Sequence, residues 1–148
     1  HWDDPELRLV LLGGAGNADR QVEAKIAALH LERRVIRTGR VPASHRDGFL
    51  ALAEALVFPS EYEGFGAPVV EAMALGTPVI AADQPAVAEV VGEAGIILPR
   101  SAEAWAGALD DVAARRKELV AAGRRRSADF TAVRSGAALA AAYRRALE

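Results

Sequence analysis

The chain has 148 residues, 51% of them hydrophobic and 26% charged, with a net charge of −2. That is the profile of one folded domain burying about 70% of its unfolded surface, and the near-neutral balance excludes nucleic acid as an expected partner. With no cysteine there is no disulfide frame, thiol nucleophile or thiolate metal site. No apolar run approaches the roughly 20 residues of a spanning helix, and no signal peptide is visible.

Arg8 to Leu12 is a short apolar run ending in Gly13-Gly14-Ala15-Gly16, which reads as a buried strand and a turn. Asp19 to Leu29 has helical spacing, with Val22, Ile26 and Leu29 on one face. Val35 to Thr38 reads as a second strand closed by Gly39. Ser44 to Ala55 has a helical pattern through Phe49, Leu50 and Ala53, interrupted by Gly48. Leu56-Val57-Phe58 reads as a third strand stopped by Pro59, and a helix follows between Pro68 and Gly76. Pro78 to Ala82 is the fourth strand, Pro85 to Val91 a short helical turn, and Gly95 to Leu98 the fifth strand. Strands alternating with helices imply right-handed crossovers and an α/β, doubly wound parallel sheet. After Pro99 the pattern is helical only. Ser101 fits an N-cap, and Trp105, Leu109 and Val112 form an apolar stripe. A second segment runs from Arg115 toward Phe130, and a third from Thr131 carries Val133, Gly136, Ala140, Tyr143 and Leu147. These stripes read as packing surfaces. The expectation is a single domain, residues 1–148, with an α/β core over 1–99 and a helical tail over 100–148.

Residues 58 to 80 concentrate the chemistry. Glu63 and Glu71 flank a Gly64-Phe65-Gly66 turn that runs into the start of a helix. A helix start offers free backbone N–H groups and a partial positive charge, which suits a phosphate. An ionised glutamate is acceptor-only and can take two donors, which suits sugar hydroxyls. Between Pro68 and Gly76 lie Val69, Val70, Ala72, Met73, Ala74 and Leu75, apolar on all sides, so this helix is expected to be buried. Glu71 is its only charge. A buried carboxylate needs partners, so taken alone Glu71 also fits a structural role, accepting from a turn or pairing with an Arg. In open parallel sheets ligands sit beyond the carboxyl ends of the strands. Here those ends are Gly13 to Gly16, Gly39 to Pro42 and Ser60 to Gly66. A Gly-Gly-x-Gly turn is weak by itself, because loops of any such fold contain glycine.

The segment resembles the donor-site signature of retaining glycosyltransferases of family 4, the glycogen-synthase-like group with the GT-B fold. Its pattern of Glu, seven residues, Glu appears as Glu63, Gly64, Phe65, Gly66, Pro68 and Glu71, and the continuation Glu71-Ala72-Met73-Ala74, Gly76-Thr77-Pro78-Val79-Ile80 follows too. The likeness extends more weakly from Leu9 to Tyr143. The resemblance implies the C-terminal, Rossmann-like half of a GT-B fold and hexosyl transfer from a UDP- or GDP-sugar with retention. It implies a front-side, oxocarbenium-like reaction with no metal and no cofactor. By matched position, Glu71 resembles the glutamate that holds the ribose hydroxyls. Glu63 resembles the one that holds hydroxyls of the donor hexose, and is the catalytic candidate. Backbone around Phe65, Gly66 and Ala67, with Gly64, resembles the diphosphate cradle. Arg40 and Val41 resemble the nucleobase wall, and Gly13 and Gly14 are further candidates for ligand contact. The pairs Asp3-Asp4 and Asp110-Asp111, and His1, His30 and His45, read as solvated surface.

Some positions depart from the family pattern. Ala67 stands where Leu is usual, Asp83-Gln84-Pro85-Ala86 replaces a glycine-rich turn before Glu89, and Ala132 stands where Trp is common. The family's domain opens with a strand, an Arg and a Lys-Gly that neutralise the diphosphate, and its sheet order is 3-2-1-4-5-6. The expectation is that this chain is a fragment, that the runs at Arg8 and Leu56 flank the position of that opening strand, and that the acceptor domain lies elsewhere. Binding of donor without turnover by this chain alone follows. Two further readings remain, a nucleotide-sugar epimerase on the same fold and a non-catalytic binding or interaction module. The runs Arg115-Arg116-Lys117 and Arg124-Arg125-Arg126 read as a solvated helix face, with peripheral contact to anionic membrane or lipid headgroups as the alternative. The expected location is the cytoplasm, including the cytoplasmic membrane face on that alternative.

Overall fold

The computed structural model describes residues 4–147, so the readings on His1 and Asp3 lie outside the described residues. In chain order the elements are β1 (Leu9–Leu12), α1 (Asp19–Ala28), β2 (Val35–Gly39), α2 (Ala43–Leu52), β3 (Leu56–Phe58), α3 (Ala67–Leu75), β4 (Val79–Ala82), α4 (Pro85–Val91), β5 (Ile96–Leu98), α5 (Ala102–Ala106), α6 (Ala108–Ser127) and α7 (Ala132–Ala146). Strands and helices alternate through β5, and every strand pairing is parallel. The pairs are β1 with β2, and β3 with β4 with β5, in two sheets. These neighbours agree with positions 2-3 and 4-5-6 of the expected order. The chain divides into two compact units, one through Phe49 and one from Leu50.

In the first unit β1 pairs Leu9 with Val35 and Val10 with Ile36, and the register shifts between Leu11 and Leu12. Arg37 of β2 reaches back to α1, donating to Asp19 and, at 2.6 Å, to Glu23. These two hydrogen bonds raise the pKa of its guanidinium, Asp19 contributing most. The strand at Leu9–Leu12 was expected to be buried, and it is not. Leu9 and Leu12 are exposed, Val10 and Leu11 only half-buried, and no described residue before Leu50 is fully buried. Two strands and short flanking helices supply too little apolar area to enclose a side chain on both faces.

The second unit holds the core. All four residues of the central strand β4 are buried. Strand alternation sends Val79 and Ala81 to one face and Ile80 to the other. On the first face they pack with Val69 and Met73 of α3 and Val87 and Val91 of α4. On the second, Ile80 and Ile96 pack with Ala108, Val112 and Leu119 of α6. Each fully buried Ile, Leu, Met or Val contributes about 1.5–3 kcal/mol. Close approach tightens both layers. A Cβ on Gly123 of α6 would sit 3.2 Å from Met73 Cγ, and one on Gly95 would sit 2.9 Å from the Val79 carbonyl oxygen.

Three expectations on helices need correction. The helix at Pro68–Gly76 buries Val69, Ala72 and Met73, but Ala74 and Leu75 are exposed and Glu71 is half-buried. Among the described residues α6 packs along one side of α3, and Ala74 and Leu75 face away from the core clusters. The stripe Trp105–Val112 is split at Gly107, where α5 ends and α6 begins, and α6 runs unbroken through Arg115 to Ser127. The third stripe does not pack: no residue of α7 is buried, and Val133 is 82% and Tyr143 65% exposed. Periodicity reports that a helix has an apolar face and not what covers it. Among the described residues no helix is long and apolar enough to cross a membrane.

Candidate functional site

The C-terminal end of β3 leads through Pro59 and Ser60 to Glu63 and the Gly64-Phe65-Gly66 turn. Gly66 is the N-cap of α3, with φ of 86°, a left-handed conformation that glycine adopts without strain. Its carbonyl accepts from Val69 N at 2.9 Å, starting the helix. No side chain caps this end, and Pro68 in the first turn contributes no N–H. The helix start is thus offered to an external acceptor, as a phosphate oxygen would be.

Glu63 is held from two sides. The Ser60 hydroxyl donates to Glu63 Oε1 at 2.8 Å and lies 3.2 Å from the Tyr62 carbonyl. The Gln84 amide donates from Nε2 to the Glu63 carbonyl at 3.3 Å, while its Oε1 accepts from Val87 N at 2.9 Å as the N-cap of α4. One side chain therefore starts α4 and clamps the loop after β3. Half-buried, Glu63 keeps its second carboxylate oxygen for another donor. Arg100, just past β5, pairs with Glu61 at 3.0 Å and ties a third strand end to the same loop.

Glu71 lies four residues beyond Ala67 on α3. Residues at this spacing share a face, and helical side chains lean toward the N-terminus. Glu71 therefore shares the Ala67 face of α3, and it is half-buried there. The matched residues Glu63, Gly64, Phe65, Gly66, Ala67 and Glu71 are brought together by a single loop and the first turns of α3.

The remaining candidates lie in the first unit. Gly13 N donates to the Gly39 carbonyl at 3.0 Å, joining the turn after β1 to the last residue of β2. The Arg40 side chain lies over Gly14, with Nε 3.2 Å from where a Cβ would stand. Gly13, Gly14 and Arg40 thus form one surface, with Val41 half-buried beside it. Asp110, Asp111, His30 and His45 are exposed, as read from the sequence. Among the described residues no group of three or more His, Asp or Glu is placed to hold a metal ion.

Four residues named in the sequence only within longer segments, Ser60, Gln84, Arg126 and Phe130, make contacts at the site that were not expected of them. Ser60 three residues before Glu63 is a pattern that a capping-box reading would have raised. Gln84 directly before Pro85 signals an N-cap that has a second contact to make. Phe130 and Arg126 had no local signal. The Phe130 ring meets Phe65 edge-on, with centroids 5.5 Å apart and planes at 71°. Of the basic runs, Arg115, Lys117, Arg124 and Arg125 are exposed as expected, while Arg116 and Arg126 are half-buried. Arg116 donates to the Glu54 carbonyl and carboxylate at 2.8 and 2.7 Å, and Arg126 to the carbonyls of Glu89 and Val90. Arg115 pairs with Glu118 at 2.8 Å, which holds the Glu118 carboxyl below its ordinary value.

This parallel α/β architecture is shared with solved GT-B glycosyltransferases. Sucrose-phosphate synthase from Thermosynechococcus elongatus superposes with a TM-score of 0.80 and 29% identity, over 95% of this chain and 38% of that one. Anabaena HepE, solved in complex with UDP-glucose, superposes with a TM-score of 0.72 and 25% identity, over 84% of this chain and 36% of that one. Residues 2–126 match the family Glycosyl transferases group 1, and the chain belongs to that family. Among curated relatives, the D-inositol 3-phosphate glycosyltransferase of Jonesia denitrificans is 32% identical over 97% of this chain and 36% of its own length. The chain spans little more than a third, or less, of the curated relatives it matches.

Proposed function

We propose that this chain is the donor-binding part of a retaining hexosyltransferase that uses a nucleotide-sugar. The observation that carries the reading is the placement of Glu63. Its carboxylate is held by Ser60 and its carbonyl by Gln84, beside a helix start that no side chain caps. Glu63 accepts hydrogen bonds from hydroxyls of the donor hexose, and Glu71 from the ribose. The N–H groups at Gly66 and Ala67 stabilise charge that builds on the leaving diphosphate, where fixed donors cost no reorganisation in the transition state. None of these roles uses a metal or cofactor. Arg40 and Val41 are assigned the nucleobase, and the packing of Arg40 on Gly14 supports an ordered surface there. The structural relative in complex with UDP-glucose supports a UDP-sugar, and a GDP-sugar is the other candidate.

Calorimetric titration of the chain with UDP-glucose and GDP-mannose tests the reading. One of the two should bind, and Glu63→Gln or Glu71→Gln should weaken it about 10- to 100-fold, the worth of a charged hydrogen bond. No binding of either donor, or unchanged affinity in both variants, would overturn it.

A further inference from the structure

The C-terminal end of α6 makes contacts that the donor reading does not use. Arg126 sits against the end of α4. Its Nε donates to the Val90 carbonyl at 3.0 Å and its Nη2 to the Glu89 carbonyl at 2.7 Å. These are last-turn carbonyls that the helix itself leaves without partners, at the negative end of its dipole. The same guanidinium stands 4.9 Å over the centroid of the Phe130 ring. Asp129 lies 3.5 Å from Arg126 Nη1, and accepts from Arg134 at 2.5 Å. Phe130 is therefore held by a cation on one side, and its ring meets Phe65 edge-on at 5.5 Å. Phe65 is the middle residue of the turn that connects Glu63 to α3.

We propose that Phe130, locked in place by Arg126, is a positioning residue for the Gly64-Phe65-Gly66 turn. The inference rests on the donor-binding reading for its functional consequence. Phe65 is 46% exposed, so few neighbours restrain its ring, and Phe130 supplies a directional contact. The glycines on either side give the turn little stiffness of their own. An edge-to-face ring contact constrains both distance and tilt in a way that aliphatic packing does not. Phe130 follows Phe65 by 65 positions in the chain, and Arg126, four residues before Phe130, anchors that segment to the end of α4.

The test compares the chain with Phe130→Leu, Phe130→Tyr and Arg126→Gln, and with Val112→Ala in the opposite core cluster as a stability control. Amide hydrogen exchange at Gly64–Ala67 is read without donor, and donor affinity by calorimetry. In Phe130→Leu the turn amides should exchange roughly two- to tenfold faster and donor affinity should fall by a similar factor. Phe130→Tyr keeps the ring and should stay near the parent in both. Arg126→Gln should fall between them. Val112→Ala should lower Tm while leaving turn exchange and affinity unchanged. Unchanged turn exchange in Phe130→Leu would overturn the proposal, as would an equal effect from Val112→Ala. If the parent chain binds neither nucleotide-sugar, the donor reading fails, and the positioning role is decided by the exchange data alone.

Discussion

At the residue scale the site is a set of polar groups that restrain one carboxylate. A glutamate in a glycine-flanked loop loses side-chain and backbone entropy when it is ordered. Ser60 and Gln84 meet part of that cost before ligand arrives, through contacts at 2.8 and 3.3 Å. Preorganisation of this kind improves affinity without a new contact to the ligand. Ser60→Ala should therefore lower donor affinity by about tenfold while changing Tm little, since the bond is to a charged group on a half-exposed loop. Calorimetry beside a thermal melt checks both parts, and unaltered affinity would mean that Ser60 does not restrain Glu63. Ser60 was legible only as part of a candidate strand end, because the sequence does not say which way a hydroxyl in a loop points.

At the element scale, the arginines of α6 dock two other helices. Arg126 caps the carbonyl end of α4, and the Arg124 guanidinium lies beside Gly76, where α3 ends with φ of 84°. A cation at a helix C-terminus is stabilising. Both capped helices begin at the candidate site, so α6 fixes their far ends. The same economy of space holds at Gly95, whose added Cβ would meet Val91 Cγ1 at 2.8 Å and the Val79 carbonyl at 2.9 Å. The obstruction at Val79 is backbone and cannot rotate away. Gly95→Ala should destabilise the chain by about 1–3 kcal/mol, the range for overpacking in a dense core. A urea midpoint equal to that of the parent would show that β5 shifts freely against β4. The helix pattern of α6 was legible in its charge and apolar spacing, but its start was not. Gly107, which separates α5 from α6, interrupts a stripe that is otherwise continuous in sequence.

At the scale of the whole molecule, burial is unequal. Both core clusters are built from residues after Phe49, and no described residue before Leu50 is fully buried. Local opening is easiest where few apolar contacts must be broken. Amides of β4 and of the buried face of α3 should therefore exchange at least roughly tenfold more slowly than those of β1 and β2. Uniform protection across all five strands would contradict the distribution of the core.

The order of strands and helices, their parallel sense, and the residues of the Glu63–Glu71 segment were determined by the sequence alone. Apolar period, glycine and proline punctuation and motif spacing act over a few residues, so they can be read without a fold. The tertiary structure decided what each face meets. It left the apolar stripe of α7 exposed, and it set an aromatic ring from position 130 against the turn at position 65. It also made Gln84 both a helix cap and a clamp on Glu63. Such contacts join residues far apart in the chain, and only the packing of α3, α4 and α6 around β4 brings them within reach.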